Sequence, residues 1–89
     1  MLRKIVDVVS IVTEVREEDI LSHSRKADIV LARKLTVVFA MSYQIPTLSI
    51  AKFLGITQQA VRDINSRQEN SKIYAIFKHQ IRKKLETMQ

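Results

Sequence analysis

The sequence predicts an all-α domain of five to six helices built around a helix-turn-helix. Three observations carry that expectation. Apolar residues recur at helical spacing along nearly the whole chain. One Gly and one Pro among 89 residues leave too few turn residues for a many-stranded β fold. Ala51, Gly55 and Val61 have the spacing of two helices that meet across a sharp turn. A chain of this length makes one domain, residues 1–89. Its core is small, because such a chain buries only about 60–65% of its unfolded surface.

The elements follow in order. Ile5, Val8, Val9 and Val12 recur at i, i+3, i+4 and i+7, which predicts an amphipathic helix over residues 2–14. A short acidic turn covers Glu17 to Leu21, with Ile20 and Leu21 tucked into the core. Acidic residues there suit the positive end of a helix dipole, a simpler reading of Glu17, Glu18 and Asp19 than a catalytic cluster. Ser22 to Lys26 is a polar, basic connection. Ala27 to Ser42 is the most apolar segment, which predicts a central helix buried on several sides. Arg33 and Lys34 on it need a route to solvent or to a partner. Pro46 ends that helix by disfavouring helical geometry at the residue before it. Thr47 is the expected N-cap of a helix through Leu54, and Gly55 its terminator. Thr57 caps a further helix, Gln58 to about Arg67. Asn70 or Ser71 caps the last, with Ile73, Ile76, Phe77, Ile81 and Leu85 as one apolar stripe. No internal repeat or low-complexity segment is present.

The helix-turn-helix, residues 47–67, has a physical rationale. Steeply crossing helices need a small residue where they approach, here Ala51. The turn needs a residue tolerant of positive φ, here Gly55. Val61 and Ile64 then pack the second helix back on the first, with Ile50, Leu54 and Ile56 filling the flanks. An ordinary αα-corner is the alternative, but the pattern is the sequence form of a DNA-binding module. Thr57, Gln58, Gln59, Arg62, Asp63 and Ser66 fall on the outward face or its edges. Gln pairs with adenine and Arg with guanine in the major groove, so Gln58, Gln59 and Arg62 are the candidate base readers. Asp63 either pairs with Arg67 at i+4 or accepts from a cytosine amine. Thr47, Lys52 and Arg67 are candidates for phosphate contacts.

Charge points the same way. Residues 1–21 hold three basic and five acidic residues, whereas residues 22–89 hold twelve basic and four acidic. A basic surface on a small domain suits a polyanion, nucleic acid before anionic membrane. A soluble domain with a high isoelectric point and no such partner is the plain alternative.

The stretch Ile5 to Leu54 resembles the C-terminal DNA-binding domain of the bacterial replication initiator DnaA. Asp19-Ile20-Leu21-Ser22, the basic loop through Arg25 and Lys26, Ala32-Arg33-Lys34-Leu35 and Thr47-Leu48 carry the likeness. It covers about half the chain well and the rest loosely. The resemblance implies a tryptophan-repressor-like fold, with Arg25 entering a minor groove, Arg33 at a basic position of the long helix and Thr47 on phosphate. It stops at the reading head. The family carries an Arg-Asp-His-Thr-Thr run where this chain has Ile56-Thr57-Gln58-Gln59-Ala60, a segment more like those of phage repressors. Repressor-like proteins are often two-fold dimers, whereas DnaA-type domains act singly, so the two likenesses differ on a homodimer.

Other classes find little support. No cysteine means no disulfide, thiolate zinc site or cysteine nucleophile. One glycine leaves no phosphate-cradling loop, and no Walker motif or ATPase domain is present. His23 and His79 have no spacing that suggests a metal pair or a catalytic base, so no cofactor, small-molecule substrate or enzymatic activity is expected. Arg3-Lys4 before Ile5 to Val12 faintly suggests a signal peptide, but Asp7 interrupts the apolar run and Glu14 closes it. No segment reaches the ~18 apolar residues of a membrane span, so a cytoplasmic protein without membrane attachment is expected. The Met1 start and apolar first helix favour a whole protein or a neatly bounded domain. The main rival surface is the last helix, whose Lys78, Arg82, Lys83 and Lys84 lie opposite its apolar stripe. Packing on the core with a solvated basic face is the plainer reading of this helix; an anionic membrane, a dimer seam or a partner helix are the alternatives, the last making the chain a protein-interaction adaptor.

Overall fold

The computed structural model describes residues 1–87. They form six helices and no strand: α1 Leu2–Thr13, α2 Glu17–Ile20, α3 Ala27–Ser42, α4 Thr47–Leu54, α5 Gln58–Ser66 and α6 Lys72–Thr87. The all-α class expected from periodicity is therefore what the chain adopts. The central position of α3 is also observed. It packs against α1, α2, α4 and α5, while α6 packs on α1.

Each boundary has a local cause. Glu14, at φ 59°, takes the left-handed conformation that closes α1, and Thr13 Oγ1 donates back to the Val9 carbonyl at 2.7 Å. That trims the expected helix by one residue. The next turn is held by Ser10 Oγ on the Val15 carbonyl, which lets Val15 enter the core. Pro46 occupies the N-cap of α4, so Thr47 becomes its first residue and its hydroxyl is free for another use. Gly55, at φ 68°, takes the left-handed C-cap of α4, and the Ile56 amide donates to the Ala51 carbonyl at 3.0 Å. Thr57 caps α5 as expected, its hydroxyl accepting from the Ala60 amide at 3.0 Å. Ser71 Oγ accepts from the Tyr74 amide at 3.2 Å at the start of α6.

The core draws Ile5, Val6, Val8 and Val9 from α1, Leu35, Val37 and Phe39 from α3, and Ile50, Ala51 and Leu54 from α4. From α5 only Val61 is buried, with Ile64 half-buried. Ile20 is buried as expected, whereas Leu21 is half-buried.

The stripe on α6 is the main correction. The inward residues are Tyr74, Ile81 and Leu85, with Phe77 half-buried. Ile73 is 46% exposed and Ile76 51% exposed. Tyr74, Ile81 and Leu85 keep one helical register, 74, 81, 85, which leaves positions 73 and 76 more open to solvent. Sequence periodicity ranks the four aliphatics and Phe77 together and misses the tyrosine.

Candidate nucleic-acid interface

The α4–α5 pair sets the geometry of the surface. Ala51 is buried at the approach of the two helices, and Val61 anchors α5 against the core. With its apolar side so committed, α5 turns Thr57, Gln59, Arg62, Asp63 and Ser66 to solvent, and leaves Gln58 half-buried at the seam. Thr47 Oγ1 donates to Gln58 Oε1 at 3.0 Å, tying the first residue of α4 to the first residue of α5. Gln59 Nε2 donates to Asp63 Oδ1 at 3.0 Å. Asp63 thus takes Gln59 as its partner, and the expected ion pair with Arg67 does not form among the described residues.

The far end of α5 is fastened by a lysine whose role the sequence did not disclose. Lys34 on α3 is 8% exposed, and its ammonium donates to the Ile64 carbonyl at 3.0 Å and to the Arg67 carbonyl. The last carbonyls of a helix have no intrahelical donor and carry negative partial charge, so a cation there satisfies both needs. Burial pushes the Lys34 ammonium below its ordinary pKa; Glu69 raises it, and Arg67 and Lys78 lower it. A buried cation on a mostly apolar helix was the available signal. Its partners are backbone atoms 30 or more residues away, which side-chain spacing does not reveal.

Arg33, one helical step earlier, does the same for the basic loop. Its guanidinium donates to the carbonyls of Ile20 at 3.1 Å, Ser22 at 2.5 Å and Ser24 at 3.3 Å. Burial lowers its pKa, but arginine stays charged. Its donors therefore hold the protein's own loop. Ser22 Oγ and Ser24 Oγ accept from the Ser24 and Lys26 amides at 3.3 Å, which orders the loop further. The loop holds Arg25 and Lys26 exposed at its end. An open cleft of about 680 Å³ separates Arg25 from Ala60, Asp63 and Arg67, so the loop cation and the polar face of α5 border one concavity.

Thr47 is half-buried, and Lys52 is exposed in the last turn of α4. His23 is exposed on the loop and His79 on α6. Among the described residues no group of three or more His, Cys, Asp or Glu side chains gathers as a metal site. Among the described residues no helix is long and apolar enough to cross a membrane.

The charges sort by region. Three ion pairs form among the described residues, Arg3 with Glu17, and Arg16 with Glu18 at 3.5 Å and Asp19 at 3.3 Å. All lie in the acidic first quarter. The cations of the loop, α4 and α5 have no carboxylate partner among the described residues. Comparison with protein-family models, curated proteins and solved structures finds no match to this chain.

Proposed function

We propose that this chain is a sequence-specific duplex-DNA-binding domain in which α4 and α5 act as a helix-turn-helix. The observation that carries the reading is the joint placement of two features. The exposed polar start of α5 offers Thr57, Gln59 and Arg62 beside a half-buried Gln58, and the neighbouring loop offers Arg25 and Lys26 without carboxylate partners. Gln58, Gln59 and Arg62 read base edges in the major groove. Arg25, Lys26, Lys52 and the hydroxyls of Thr47 and Ser66 meet the backbone or the adjacent minor groove. The likeness to the DnaA C-terminal domain supports a cytoplasmic role in regulating transcription or replication, with Arg33 positioning the loop rather than touching DNA. Palindromic sites would add a homodimer.

The test separates position from readout. Arg25→Ala and Lys52→Ala weaken binding to specific and random duplex alike. Gln59→Ala removes discrimination between sequences while leaving random-duplex affinity nearly intact. Equal losses on both kinds of duplex for Gln59→Ala would remove it from the reading role.

One observation favours a second reading. Ile73 and Ile76 are exposed on α6, and Ile73 borders a shallow apolar groove with Val15, Leu31 and Phe77. That surface suits an adaptor docking a helix of another protein.

A further inference from the structure

Resting on the DNA-binding reading, we propose that Asp63 sets the base preference of Gln59 by fixing which end of its amide faces outward, so that Gln59 presents an acceptor to an exocyclic amine, adenine N6 or cytosine N4.

The polarity follows from what the two groups can do. An ionised carboxylate only accepts hydrogen bonds, and an amide donates only through its nitrogen. The 3.0 Å contact between Gln59 and Asp63 Oδ1 therefore engages the Nε2 end of Gln59. The pair stands at i and i+4 on α5, where side chains on a helix surface meet. A charged acceptor makes the bond stronger than one between neutral groups. Gln59 Oε1 is left as the free end of an exposed side chain at the start of α5. Adenine and cytosine place an amine donor in the major groove where thymine and guanine place a carbonyl acceptor. An outward oxygen matches the first pair and repels the second. Gln58 supplies an internal control. Its Oε1 accepts from Thr47, on the opposite side from Asp63, so its amide is oriented independently.

The experiment is site selection from a randomised duplex library with the wild-type chain, then affinities for the four base pairs at the position whose preference disappears in Gln59→Ala. The wild-type chain favours the amine-bearing base there by a factor of about 3–10, the size of one net hydrogen bond. Asp63→Ala frees the amide nitrogen, so the preference for cytosine over guanine falls to within about twofold of unity, while adenine, which an unconstrained Gln pairs through both ends of its amide, stays favoured. It leaves preferences at other positions in place and leaves random-duplex binding equal or tighter, since a negative charge is gone. Asp63→Glu restores the preference. Gln59→Glu keeps it while weakening all binding, because a carboxylate is acceptor at both ends. Asp63 is exposed, and an unchanged circular dichroism spectrum confirms that its variants fold. A cytosine preference that survives Asp63→Ala, or a wild-type preference for guanine or thymine carbonyls at that position, overturns this inference and leaves the DNA-binding reading standing. A wild-type chain that selects no sequence and binds no duplex overturns both.

Discussion

The two ends of this molecule use the same basic residues differently. Around α1 and α2, Arg3 and Arg16 face carboxylates, and their charge is cancelled locally. Around α3 and α5, Arg33 and Lys34 face backbone carbonyls. A carbonyl satisfies a donor without cancelling its charge. The second arrangement therefore fixes a loop and a helix end while keeping the local field positive, beside exposed Arg25, Lys26, Lys52 and Arg62. Structural cations thereby add to the positive field of this surface.

Substitutions at the two ends sharpen the contrast. The largest effect is expected for Lys34→Met, which keeps the apolar stem and deletes the ammonium from the end of α5. Losing charge-assisted bonds at a helix C-terminus costs about 1.5–3 kcal/mol in urea unfolding, and lowers duplex affinity more than one charge alone explains. Arg33→Ala follows, at about 1–3 kcal/mol, with faster amide exchange in residues 22–26 as its local signature. Gly55→Ala is intermediate. No heavy atom lies within 4 Å of an added Cβ, so the cost is the left-handed backbone alone, about 1 kcal/mol. Arg16→Ala is smallest, below about 1 kcal/mol, because both its pairs are solvent-exposed. A loss for Arg16→Ala equal to that for Lys34→Met would erase the distinction.

Much of the fold was legible from residues alone. The limits of α3 and α4 follow from apolar content, Pro46 and Gly55, and these signals are local. The outward face of α5 was legible because Val61 and Ile64 fix its rotation. Errors arose where tertiary contacts decide. The stripe on α6 shifted because Tyr74 fits against the core through its ring, beside the ammonium groups of Lys34 and Lys78 at 6.0 Å and 5.8 Å from the ring centre. Thr47 gave its capping position to Pro46 and bonds Gln58 across the turn instead. Asp63 chose Gln59 over Arg67, because α5 ends at Ser66 and the extended Arg67 leaves the i+4 geometry. The roles of Arg33 and Lys34 were invisible because backbone carbonyls carry no residue-type signature.

The most direct measurement is a titration of fluorescently labelled random-sequence duplex DNA with this protein across a salt series. Exposed Arg25, Lys26, Lys52 and Arg62 predict micromolar binding at low salt. The logarithm of the affinity should fall with the logarithm of salt at a slope of about −3 to −4, from a slope of roughly −0.9 per neutralised phosphate. Arg25→Ala should reduce that slope by about one, and Arg3→Ala should leave it unchanged. Absence of binding at low salt, or binding whose strength does not respond to salt, would contradict a phosphate-tracking surface on the α5 side of the molecule.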